Sequence, residues 1–354
     1  MKFLQFFRTK GVNNVIYPIL SILLGMLGAG IIIAFFGVNP FTAYKELVKG
    51  SFGSIYGLSA TLQRFMPLAF AGLAATLAFR GGIFNIGIEG QLYMGALFST
   101  WVGISFEKLP AIIHIPLALL AGGIAGGIWA FIPGYLKAKK GFNEILVSIF
   151  MNFIGVYTLG AALNTFLRAP GQGIPWSSEI VESARLPQLP GSDLSIGIFM
   201  IFIFAFTIQY IFKHRTFGYE IKAVGYNKDA SIYGGINTTK VIIVTMVLSG
   251  FIGSFAGSVE ILGMQHRLTE NFLVDYGYNA IPVALLGGLN PFGTLVAAFF
   301  FAALINGASS MQIALGVPVA IVKVIMALAI LGSLGMHGLQ KTVESRRKRR
   351  DEQL

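Results

Sequence analysis

Apolar residues gather into ten runs, each near the roughly 20 residues that cross the hydrocarbon core of a bilayer: 15–36, 57–79, 86–106, 111–132, 145–164, 194–212, 240–262, 274–289, 293–312 and 317–336. Short polar or basic stretches separate them. The pattern predicts an all-α integral membrane chain of about ten transmembrane helices, with residues 1–340 as one polytopic domain and 341–354 as a basic tail. The first run follows Lys2, Arg8 and Lys10. Its apolar stretch of about 22 residues is longer than a signal-peptide core, and no convincing cleavage site follows it, so it reads as an uncleaved first span. The eighth run is short and interrupted by Gly, which makes it the weakest of the set.

Composition agrees with that pattern. The chain is 55% hydrophobic and 12% charged, against about 45–50% and 25% in soluble domains. Cys is absent, which removes disulfides, thiolate metal sites and a Cys nucleophile. His114, His214, His266 and His337 are too scattered to suggest a metal site. The net charge of +11 would suit nucleic acid, but its placement argues against that partner. With the N-terminus cytoplasmic, 18 of the 26 Lys and Arg fall in cytoplasmic segments, six in external ones and two inside runs. That bias predicts both termini inside, 165–193 outside and 213–239 inside.

Chemistry is sparse. There is no Gly-x-x-x-x-Gly-Lys-Ser/Thr phosphate loop, so ATP hydrolysis by that route is not expected of this chain. Neither a His-Glu-x-x-His motif nor an intramembrane carboxylate pair is present, so no catalytic residue is expected. Most acidic residues sit at run ends or in loops, which disfavours an ion-coupled secondary transporter.

The few polar residues in or beside the runs each carry two readings. Gln63 and Arg64 are either reaching out to the external interface or forming an external gate. Asn85, Glu89 and Gln91 are either a helix N-terminus, with Asn85 as cap and Glu89 complementing the dipole, or part of a translocation path. Asn143 and Glu144 repeat that pattern before the fifth run, and Asn152 suits an interhelical hydrogen bond. Glu260 and Lys323 read as interfacial or paired. The segments 81–87 and 287–293 echo each other as Gly-Gly-apolar-x-x-apolar-Gly, placing Asn290 in a position like that of Asn85. They are either broken helices around a transport route or two tight turns. Four-residue spacings at Gly122 and Gly126, Gly123 and Gly127, and Gly253 and Gly257 predict close helix packing, within the chain or against another.

Residues 219–233 suit one short cytoplasmic helix closed by Gly234 and Gly235. Tyr226 and Tyr233, seven apart, would share a face, with Lys222 and Lys228 at its rim. Such a helix is a docking surface; the plainer alternative is a solvated loop that fixes topology by its charge.

The blocks FRGGIFNIGIEGQLYMGA, GFNEILVSIFMNFI, GYEIKAVGYNKDASIYGGIN and IPVALLGGLNPFGTLVAAFFFAALINGA lie in this order between 79 and 308. Together they resemble the permease subunits of ABC importers of the sugar, nucleoside and branched-chain amino acid group. The GIEGQ and FNEIL wording is most similar to nucleoside permeases that work with a basic-membrane-lipoprotein-type binding protein. Ribose-type members usually carry an Asp-Leu-Ser-type sequence at Asn85, Ile86 and Gly87.

The resemblance implies a multi-pass subunit of a cell membrane, bacterial plasma membrane for preference, that binds no cofactor itself. A partner ATPase would use ATP and Mg, a second homologous permease would complete the path, and an external lipoprotein would deliver a nucleoside or a simple sugar. It also implies that Gly225, Asn227, Ala230 and Gly234 belong to the ATPase-coupling region. A secondary transporter or a channel remains the alternative class.

Overall fold

A computed structural model describes residues 10–171 and 173–332, with side chains from residue 22 onward. The described residues form thirteen helices: α1 Lys10–Phe35, α2 Pro40–Phe52, α3 Ile55–Arg80, α4 Ile88–Ser105, α5 Ala111–Lys140, α6 Glu144–Asn164, α7 Gly197–His214, α8 Thr216–Tyr226, α9 Lys228–Tyr233, α10 Thr238–Glu260, α11 Tyr276–Leu286, α12 Pro291–Leu315 and α13 Ile321–Gly332. The basic tail 341–354 and the last residues of the tenth apolar run lie outside the described residues.

Six of these helices are long and apolar enough to cross a membrane: α3, α5, α6, α7, α10 with its π-helical extension Ile261–Gln265, and α12. A seventh arises if α1 and α2 count as one span bent by 116°. The runs 86–106, 274–289 and 317–336 correspond to helices that are less apolar or shorter. Glu89 and Gln91 lower the hydropathy of α4, and α11 has only 11 residues. The stretch that feeds α11, 266–275, is not helical and holds His266, Asn271 and Asp275 at φ of 53°, 56° and 67°.

Two helices form the centre: 83% of the apolar window of α3 and 72% of that of α10 are buried, against 39% or less for α5, α6 and α7. The outer three present large apolar side chains, among them Ile128, Phe153 and Phe206, as a face suited to hydrocarbon. Small residues let the inner helices touch. A Cβ on Gly126 would stand 2.4 Å from the Ser254 Cβ, and one on Gly250 would stand 2.4 Å from the Gly126 carbonyl oxygen, so α5 and α10 meet backbone to backbone. Gly257 packs as closely on the Leu92 carbonyl of α4. The glycine spacings thus serve packing within this chain.

The bundle has two distinct ends. One carries Arg80, Lys137, Lys139, Lys140, Lys213, Lys222 and Lys240 together with α8 and α9. At the other, residues 165–195 fold over the end of α10. Ser177 N–H donates to the Leu268 carbonyl, and Leu186 N–H to that of Leu262. Beneath this loop His114 is held between Ser183 Oγ at 2.9 Å and the Val102 carbonyl at 3.0 Å.

Candidate functional site

The two echo segments are helix ends, not breaks within helices. After α3, Gly82 adopts φ 69° and Ile83 N–H donates to Ala78 O; after α11, Gly288 adopts φ 64° and Leu289 N–H donates to Ala284 O. Both are six-residue C-terminal closures through a left-handed glycine. They lie side by side at the basic end, tied by Arg80 Nε donating to Leu289 O at 2.8 Å.

Four path candidates converge where α4 begins. Asn85 is fully buried: its Nδ2 donates to Gln91 Oε1 at 3.0 Å and Ser249 Oγ at 2.8 Å, and its Oδ1 accepts from Gly87 N and Gln91 Nε2. Ser249 in turn donates to Ala74 O on α3. Asn152 Oδ1 accepts from Gly90 N at 2.8 Å while its Nδ2 donates to Ile86 O and Tyr278 Oη. Four helices, α3, α6, α10 and α11, are thereby tied together around the α4 start. Asn85 is not its cap, which is Gly87.

Glu89 departs from expectation in the same way. Its carboxylate faces another helix and accepts from Asp275 N at 3.0 Å and Gly277 N at 2.6 Å. It therefore satisfies the first turn of α11, whose own residue Asp275 makes no side-chain cap there.

A second cluster lies nearer the loop end. Arg64 is half-buried and donates from Nε to Asn306 Oδ1 at 3.3 Å, so it is bonded inside the bundle and does not reach outward. Asn306 Nδ2 donates to Gly57 O and Thr61 Oγ1, each at 3.0 Å. Tyr276 lies beside Arg64, and Glu260 accepts from Gln265 Nε2 at 2.9 Å. Gln63 stands apart, donating to Asp193 O across 3.4 Å.

The remaining candidates act at helix starts. Asn143 Oδ1 accepts from Ile145 N, and Asn290 Oδ1 accepts from Phe292 N and Gly293 N, as N-caps of α6 and α12. Glu144 pairs with Lys137 at 2.8 Å.

The 219–233 segment is two helices. Asn227, extended at φ −157°, ends α8 and caps α9 by accepting from Ala230 N at 3.0 Å. Tyr226 and Tyr233 therefore sit on different helices, 84% and 94% exposed. Gly234 closes α9 as expected. Lys222 does not rim this surface; it donates to Phe212 O at the end of α7. Gly225 is packed within the chain, since a Cβ there would meet Arg80 O at 2.1 Å and Gly82 lies against it.

The sequence reading missed Asn306, Tyr278 and Asp275. Asn306 did carry a signal, as a lone amide in the apolar stretch FAALINGA. Asp275 pairs with Lys323 at 2.7 Å.

A family profile described as branched-chain amino acid transport system / permease component matches residues 57–334. The chain is 36% identical over 326 residues to a guanosine ABC transporter permease protein of Bacillus subtilis, covering 91% of this chain and 93% of that one. It is 36% identical to a glucose ABC transporter permease protein of Haloferax volcanii, over 89% and 85% of the two chains. A nucleoside ABC transporter permease protein of Lactococcus lactis is 33% identical over 90% of each. No solved structure matches.

Proposed function

We propose that this chain, which belongs to the branched-chain amino acid transport system / permease component family, is the membrane permease subunit of an ABC importer and that its solute is a nucleoside. The observation that carries this reading is near-full-length similarity to permeases named for guanosine and for nucleosides. The relative named for glucose supports a simple sugar as the second reading. A partner ATPase, a second homologous permease and an external binding lipoprotein complete the importer, in a bacterial plasma membrane with the basic end cytoplasmic.

In this reading α8 and α9 dock on the ATPase. Their outward tyrosines offer a contact, and the inward Gly225 rests on the turn after α3. A displacement of α8 on ATP-driven ATPase closure would press on that turn, which Arg80 ties to the turn after α11. The α4 start lies just beyond, and Glu89 holds the other end of α11 from it. Both ends of α11 are thus mechanically connected to the docking segment.

Uptake of labelled guanosine into proteoliposomes that hold the full importer tests this. Uptake should require ATP and vanish when the ATPase is inactivated. Uptake that persists indicates a channel, and uptake that collapses with an ion gradient indicates a secondary transporter. Competition by glucose but not by guanosine would select the sugar reading.

A further inference from the structure

Helix α11 begins deep inside the bundle. Ile88, beside Glu89, packs at the level of Gly253 and Ala74, and Ala74 is six residues, about 9 Å of helix, from the Arg80 end of α3. The Tyr276 side chain meanwhile lies beside Arg64, sixteen residues and about 24 Å from that end. Asp275 lies between those levels, near the middle of a hydrocarbon layer about 30 Å thick.

At that depth the chain should offer lipid neither open backbone nor charge. Non-helical backbone persists in a membrane only where protein covers it or water lines it, and ionised side chains face one another or an aqueous space. Yet the backbone that leads into α11 through 272–275 is non-helical, Val274 is exposed, and the side chains of Asp275 and Lys323 are 40% and 70% exposed. Lys323 Nζ donates to Asp275 Oδ2 at 2.7 Å, so the pair is formed but uncovered. Asn279, one turn further along α11, is half-exposed.

We propose that the open face of 270–279 is a wall of the aqueous solute passage, and that Asp275 and Lys323 are its recognition pair for an uncharged, hydroxyl-rich solute. The carboxylate accepts a hydroxyl or base N–H and the ammonium donates to an oxygen or ring nitrogen. Together they leave the passage without net charge. Glu89 is a positioning residue for this pair, because it fixes the Asp275 backbone through Oε1. The nature of the solute rests on the importer reading above; the existence of the wall does not.

The chain has no Cys, so single Cys at Asp275, Lys323 or Asn279 can be probed in the assembled importer with a charged, membrane-impermeant thiosulfonate. All three should label, and Ile128→Cys on the lipid-suited face of α5 should not. Saturating guanosine should slow labelling at all three several-fold. Asn279→Cys breaks no ion pair, so it reports the wall even if the other variants assemble poorly. Asp275→Asn should raise the uptake KM ~10-fold or more with assembly unchanged. Absence of labelling at Asn279 and Lys323 in every nucleotide state would overturn the proposal, because another subunit or lipid would then cover the face. Labelling slowed by glucose and not by guanosine keeps the wall and removes the nucleoside.

Discussion

The Glu89 carboxylate accepts the backbone N–H groups of Asp275 and Gly277, 186 and 188 residues later in the chain, at the start of α11. The sequence shows a Glu in the first turn of an apolar run and suggests that it serves that run's own dipole. The long-range partner left no local trace, because the Gly277 backbone that presses on Glu89 looks like any glycine near a loop. Asn143 was legible for the opposite reason: a capping Asn bonds N–H groups two or three residues away, so its role is written beside it, as it is for Asn290, which the sequence had suggested only as a path residue. Glu89→Ala should leave the buried Gly277 donor unpaired at about 1–3 kcal/mol, and the part-buried Asp275 donor at less. It should lower the melting midpoint of the purified importer by several degrees and abolish uptake. Glu89→Gln keeps one acceptor oxygen and should lose less of both. A Glu89→Ala variant that melts with the parent would refute the capping role.

Glycine spacing was legible at the scale of elements, but its partners were not. The four-residue rhythm of Gly122 and Gly126 marks a close-approach face on α5, and only the structure shows α10 there. Gly250→Val should force those backbones apart and destabilise the importer by ~1–3 kcal/mol or more, seen as a fall in its melting midpoint. Gly173→Ala, where an added Cβ meets nothing within 4 Å, should leave the midpoint unchanged. In the polar, basic 213–239 segment the stretch from Tyr219 to Tyr233 read as one short helix, and the paired glycines marked its end. The break at Asn227 went unseen because Asn is tolerated within helices as well as before them. That break changes which substitutions test docking. Gly225 variants damage this chain's own fold at Arg80, whereas Tyr226→Ala with Tyr233→Ala removes only outward side chains. The double variant should weaken co-purification of the ATPase and lower ATP-driven uptake while the melting midpoint stays put. Unchanged co-purification would leave α8 and α9 as a solvated loop.

For the whole molecule, hydropathy marked where the chain runs apolar but not where it runs helical. The eighth run, already the weakest, holds a helix of only 11 residues fed by a passage of turns, and run length alone cannot distinguish that from a complete span. Orientation rests on a different quantity, the asymmetry of positive charge. The fold brings that asymmetry together in space: Arg80, Lys137, Lys139, Lys140, Lys213 and Lys240 share one end, and the loop 165–195 covers the other. Translocation across a membrane with an anionic inner leaflet retains such a basic end on the cytoplasmic side. Gln188 in the covering loop and Lys228 at the start of α9 are both exposed, so each accepts Cys without disturbing the core. Gln188→Cys should react with an impermeant maleimide on intact cells. Lys228→Cys should react only after the membrane is opened. Both variants should import like the parent, which excludes inverted or misfolded material as the source of the signal. The reverse labelling pattern in import-competent cells would place α8 and α9 outside, where no ATPase can reach them, and would end the coupling mechanism along with the orientation.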